Sequence, residues 1–176
     1  MLFLFRLVQA FGEQQRNGGE QVAFAGAQDV VESDIELGQL AAELDAAGAR
    51  AVVAEVHQLF RPLNRRHGVA CTNWQLRPSR WDRLAANDHD DPVWDAKVLV
   101  ELETVDRELT ALNAALSKVL RRFDGYAHRH HHALSRVRHG RHEWLDAPDR
   151  DSCQLVWIQF HEDLLATLGM PRGSDA

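Results

Sequence analysis

The sequence predicts a mainly α protein, an irregular helical bundle built on one long helix spanning about residues 92–124. Three observations carry that expectation. A seven-residue repeat places Val98, Val105, Leu112 and Val119 at one seam position and Leu102, Leu109, Leu116 and Phe123 at the other, four heptads without a break. Stretches on both sides of it, 28–60 and 152–168, also space their apolar residues helically. The 176 residues, 45% hydrophobic and 26% charged, have globular composition and enough length to bury a core without staples. The alternative is an α+β fold with a short strand near 51–56 and a hairpin near 68–76, because the Ala51-Val52-Val53 run is β-branched and too brief for periodicity to decide. Either way one domain is expected over residues 1–170, followed by a frayed tail at 171–176.

Residues 1–12 place Leu4, Leu7, Val8 and Phe11 at helical spacing, which reads as a first helix docked on the core. Arg6 interrupts the apolar run, and there is neither a basic n-region nor a small-residue cleavage site, so no signal peptide is expected. Asn17-Gly18 supplies a turn. Ile35, Leu37, Leu40, Ala41 and Leu44 then repeat helically, with Ser33 or Asp34 as caps and Gly48 as a break. Val52, Val56, Leu59 and Phe60 continue as a second helix, which Pro62 is expected to end.

Residues 61–90 read as an irregular, Arg- and Trp-rich connection. Asp91-Pro92 opens the long helix: Asp91 caps free amides, Pro92 suits the first turn, and Asp95 complements the positive end of the dipole. Lys118, Arg121 and Arg122 suit the other end, and Gly125 is the expected stop. The flanks of the seam are mixed, with charged Glu101, Asp106 and Glu108 but apolar Leu99 and Leu120, which favours packing within a bundle over a free coiled coil. Ser152 caps a last helix bearing Cys153, Val156, Trp157, Phe160, Leu164 and Leu168, stopped by Gly169 and Pro171.

The functional signals are weaker than the structural ones. Four histidines, His128, His132, His139 and His142, recur along one stripe if their segment is helical, a pattern that can share a transition-metal ion with Glu143 or Asp146. Arg129, Arg136, Arg138 and Arg141 lie among them and repel a cation, so the simpler reading is a solvated basic face. Arg61, Arg65, Arg66, Arg77, Arg80 and Arg83, interleaved with Trp74 and Trp81, form a candidate nucleic-acid surface, and 121–142 is a second basic stretch. The net charge of −6 and the acidic block over residues 20–58 favour intramolecular pairing instead. The stretch 35–60 resembles a helix-turn-helix motif, although its second helix, AVVAEVHQLF, offers almost nothing to read a base edge.

No GxSxG, P-loop or GxGxxG is present, and no enzyme or cofactor is implied. Two cysteines without CxxC spacing suit a reduced, cytoplasmic chain. No run approaches the ~20 apolar residues of a membrane span. The expected function is therefore a non-enzymatic helical interaction or oligomerisation protein, using Leu102, Val105, Leu109, Leu112 and Leu116 of the long helix as interface. Nucleic-acid binding is the alternative. A third possibility is a GC-rich reading frame with no selected function, since only Lys97 and Lys118 are lysines and Arg, Ala, Leu and Val abound.

Overall fold

The structure, a computed structural model, describes residues 38–171. The chain divides into two units, residues 1–39 and 40–176, and the second is the one described below. The helix expected over 1–12, the turn at Asn17-Gly18 and the caps Ser33 and Asp34 lie outside the described residues, as does the tail beyond residue 171.

Residues 38–46 are helical, and Gly48 turns the chain at φ 57°, a left-handed conformation that favours glycine. Four longer helices follow: α1 (Arg50–Gln75), α2 (Pro92–Ser117), α3 (Tyr126–Arg138) and α4 (Cys153–Leu168). Single 3₁₀ turns at Arg121–Phe123 and His142–Trp144 lie in the second and third connections. Each long helix packs on two others, α1 on α2, α2 on α3, α3 on α4 and α4 on α1. The pairings Asn73 with Trp94, Asn113 with Ala127, Arg129 with Gln159 and Asn64 with Trp157 make every neighbour antiparallel. The result is an up-and-down four-helix bundle. The mainly α expectation holds, and among the described residues there is no strand, only an isolated antiparallel bridge between Leu76 and Ala86.

Three local expectations are corrected. Pro62 does not end its element but lies inside α1. A proline within a helix costs about 3 kcal/mol because it removes an amide and crowds the preceding turn. Beyond it, however, α1 still buries Leu63, Ala70, Cys71 and Trp74 on the stripe begun by Val53, Val56 and Phe60. Large apolar side chains are each worth about 1.5–3 kcal/mol when buried, so the continued stripe outweighs the break. For the same reason 61–75, expected as the start of an irregular connection, is helix, and 68–75 is not the arm of the alternative hairpin; 51–56 is helix as expected, not the alternative strand. The chain reversal comes later, where Arg77 N–H bonds the Ala85 carbonyl and Asn87 N–H bonds the Gln75 carbonyl, at 2.9 and 2.8 Å.

The long helix is also shorter than its heptads imply. It ends at Ser117, and Leu120 turns extended (φ −133°, ψ 99°) before the 3₁₀ turn. Asn113 explains the break: its buried side-chain amide donates to the Phe123 carbonyl at 2.6 Å and accepts from the Ala127 N–H at 2.9 Å. That clamp folds Leu120 and Phe123 into the core instead of extending the seam. The start matches expectation, with Asp91 Oδ1 accepting from Val93 and Trp94 N–H, both at 3.1 Å. Ser152, fully buried, caps α4 by accepting from Leu155 N–H at 3.2 Å. Ser152→Ala is expected to lower stability by about 1–2 kcal/mol while leaving one cooperative helical transition in a circular-dichroism melt. A change below a few tenths contradicts the capping role.

The bundle interior has two apolar layers. One joins Leu44, Val53, Phe60, Leu63, Val105, Leu109, Leu116, Phe123, Phe160 and Leu164. The other joins Ala70, Trp74, Val98, Leu102, Leu134, Val137 and Leu145. The break between them falls between Leu63 and Ala70 on α1 and between Leu102 and Val105 on α2; His67 lies within it on α1, and the buried Asp106 and His130 border it.

Candidate functional site

The four histidines proposed as metal ligands are not brought together. His128 borders an open hollow with Asn113, Ser117, Lys118 and Asp124. His132 sets its ring edge-on to Trp144 at 5.7 Å, and His139 turns its Nδ1 to the Ser135 carbonyl at 2.6 Å. His142 stands on the following 3₁₀ turn against Trp74 and His89. Helix α3 stops at Arg138, with Gly140 at φ 80°, so the stripe that would align all four is cut. Among the described residues no three His, Cys, Asp or Glu side chains converge to hold a metal ion.

The basic set is divided: two of its six arginines, Arg66 and Arg77, are held in ion pairs within the chain. Arg66 bonds Glu101 and Glu108 of α2, both at 2.7 Å, and Arg77 bonds Asp88 and Asp91 at 3.3 and 3.1 Å. Trp74 is core, and the Nε of Arg61 is buried without a partner. Arg65, Arg80, Trp81 and Arg83 remain exposed, with the Arg80 guanidinium 4.3 Å above the Trp81 ring. In the second basic stretch Arg122 holds Glu43 and Asp163, and Arg129 holds Asp151 and Gln159. Among the described residues, only Arg122–Glu43 ties these arginines to the acidic block at 20–58; the other acids that answer them lie on α2, α4 and the loops.

The seam residues Leu102, Val105, Leu109 and Leu116 are fully buried within this chain, and Leu112 is partly buried beside them. They are committed to the bundle. The opposite face of α2 is the one left open. Pro92, Val93, Ala96, Lys97 and Val100 line a shallow, almost wholly apolar groove there, with Val93 and Val100 each 62% exposed.

Two polar clusters escaped the sequence reading. The first is the layer within the bundle. Asp106, 5% exposed, receives His130 Nδ1 on one oxygen and His131 Nδ1 on the other, both at 2.7 Å. His130 is completely buried, and its Nε2 has no partner. Its ring lies 5.7 Å from those of His67 and Trp157. His67 stacks parallel on Trp157 at 4.1 Å, and the Cys71 sulfur sits 3.7 Å from its ring nitrogens. Burial and the neighbouring His130 push the His67 pKa well below its ordinary value. Burial would raise that of Asp106, but the two imidazole hydrogen bonds outweigh it and hold the carboxyl low. Burial pushes the Cys71 thiol up to about 12 and that of Cys153 upward as well, so neither is a nucleophile at neutral pH.

The second cluster lies where the 76–91 connection meets α1, α2 and the 3₁₀ turn His142–Trp144. Asn87 donates to the Trp74 carbonyl at 3.0 Å and to Asp95 Oδ1 at 2.8 Å. Asp95 Oδ2 lies 2.9 Å from His89 Nδ1. His89 has φ 62°, unusual for a residue with a side chain, and its N–H bonds Asn87 Oδ1 at 3.3 Å. Its ring packs on Trp74 at 4.6 Å and on His142 at 4.3 Å.

Little in the linear pattern marked these groups. Asp106 read as a charged flank of the seam, and His67 fell in the stretch 61–90 that read as an irregular connection, where no inward face is expected. The available signal was spacing: Phe60, Leu63, His67, Ala70 and Trp74 keep steps of three and four. No described helix is long and apolar enough to cross a membrane. Comparison with family models, with characterised proteins and with solved structures finds no match.

Proposed function

We propose that the chain is a non-enzymatic helical interaction protein that pairs with a second copy of itself through the outer face of α2. The observation that carries this reading is the apolar groove formed by Pro92, Val93, Ala96 and Val100. Its residues are arranged for self-pairing. An antiparallel two-fold centred between Ala96 and Lys97 sets Val93 of one copy against Val100 of the other, and Val100 against Val93, as an isologous contact requires. At the centre Ala96 faces Lys97 of the other copy, whose apolar stem can lie over the alanine with its ammonium in water. The seam residues hold α2 in its own bundle while the outer face does the pairing, so one helix serves both roles. Two buried, unpaired cysteines suit a reducing, cytoplasmic setting for such a protein.

The test is light scattering on the purified chain across a range of concentrations, alongside Val93→Glu and Val100→Glu. A dimer is expected for the parent chain, and a monomer for each variant with an unchanged helical spectrum. Glutamate at either position replaces an apolar contact by a charge that must lose water on pairing, a cost that remains with Lys97 nearby. A parent chain that stays monomeric at the highest concentrations, or variants that dimerise as it does, overturns the reading.

A further inference from the structure

We propose that His89 and His142 form a two-histidine site for a borderline divalent transition-metal ion, with water completing its coordination. Imidazole is a favoured ligand for Zn²⁺, Ni²⁺ and Cu²⁺. Two rings bound to one ion at ~2.1 Å, at roughly a right angle, have centroids about 4.5 Å apart. The His89 and His142 rings stand at 4.3 Å with their planes tilted by 56°, close to that separation.

The surroundings are those of a ligand set. A metal-binding histidine usually presents its other ring nitrogen to a carboxylate or carbonyl, which fixes its orientation and raises its basicity. Asp95 occupies that position for His89, and Asn87 holds Asp95 in turn. The His89 backbone is kept in the left-handed region by these contacts, a local cost that persists where a side chain must be aimed. Trp74 floors both rings, packing on His89 and meeting His142 edge-on at 5.2 Å. Of the neighbouring cations, Arg77 is answered by Asp88 and Asp91, and Arg141, next to His142 in the chain, by Glu143. The buried pair His67 and His130 also has a carboxylate behind it, Asp106, but its rings stand 5.7 Å apart and are closed off from water, whereas His142 is exposed. The His89 and His142 site is independent of the α2 pairing face.

The experiment is calorimetric titration of the full, untagged chain with NiCl2, with ZnCl2 as a second probe. One ion per chain is expected to bind. His142→Ala, at an exposed position, should weaken binding at least tenfold. His89→Asn should do the same while tolerating the left-handed backbone, as asparagine does. Asp95→Asn should weaken binding 10–100-fold, the usual cost of losing a supporting carboxylate. His128→Ala/His132→Ala should leave this binding event unchanged, and circular dichroism confirms that each variant is folded. Absence of binding, loss that follows His128 and His132 instead, or folded His142→Ala titrating like the parent chain overturns the proposal.

Discussion

Replacing Asp106 by alanine is expected to destabilise the bundle by about 3–5 kcal/mol, the usual cost of removing one member of a buried ion pair or its hydrogen-bonded equivalent. Asp106 is the acceptor for both His130 and His131. His131 is 69% exposed and can turn to water, so its loss of a partner costs little. His130 has no such escape. It is completely buried and its Nε2 already lacks a partner, so without Asp106 both ring nitrogens are stranded. Asp106→Asn retains an acceptor oxygen for His130 and should cost about 1–2 kcal/mol. His131→Ala should cost less than either. Denaturant midpoints for the three variants, at constant m-value, measure this order. An alanine variant within 1 kcal/mol of the parent chain would show that the polar layer does not hold the helices as described.

That layer also shows what the sequence discloses and what it conceals. The helical class, the Asp91 and Ser152 caps and the buried seam at Val98, Leu102, Val105, Leu109 and Leu116 were legible because apolar side chains repeat with the helix and caps are local. The end of α2 was not, because Val119 and Phe123 keep the heptad while the chain beneath them has already turned. Asn113, a polar residue beside the seam, makes that turn through bonds to residues 10 and 14 positions ahead. Pro62 misled in the opposite sense, since its local cost is plain in the sequence and the tertiary burial that offsets it is not. The site residues were hidden for a related reason. Histidine carries no inside or outside preference strong enough to read, and ten of them are spread through the chain. Only the bundle decides that His130 meets Asp106 and the ring of His67 while His89 faces Asp95 and His142.

Stability is expected to be greatest between about pH 7 and 8 and to fall on both sides, for reasons that trace to named groups. On the acid side the group is His67. Its folded pKa is depressed by burial and by His130, whereas in the unfolded chain it titrates near 6.5. The unfolded state therefore binds the proton first, and stability is lost as pH falls below about 6.5. Between pH 7 and 5 one such site costs about 2 kcal/mol by linkage. Asp106, also depressed, adds its loss only at lower pH, below its unfolded value of 3.8. On the alkaline side the groups are Cys71 and Cys153, whose folded pKa values are raised by burial above the ordinary 9.0. There the unfolded chain releases protons first, so stability falls as pH rises through 9, by about 1.4 kcal/mol per thiol between pH 8 and 10. His67→Phe keeps a ring on Trp157 but cannot titrate, and should flatten the acid limb by that ~2 kcal/mol whatever it does to absolute stability. Cys71→Ala should remove one thiol's share from the alkaline limb and leave the acid limb unchanged. Unfolding free energies at pH 5, 7, 8 and 10 measure both slopes. An acid limb equally steep with phenylalanine at 67 would place the titrating group elsewhere and leave His67 a packing residue alone.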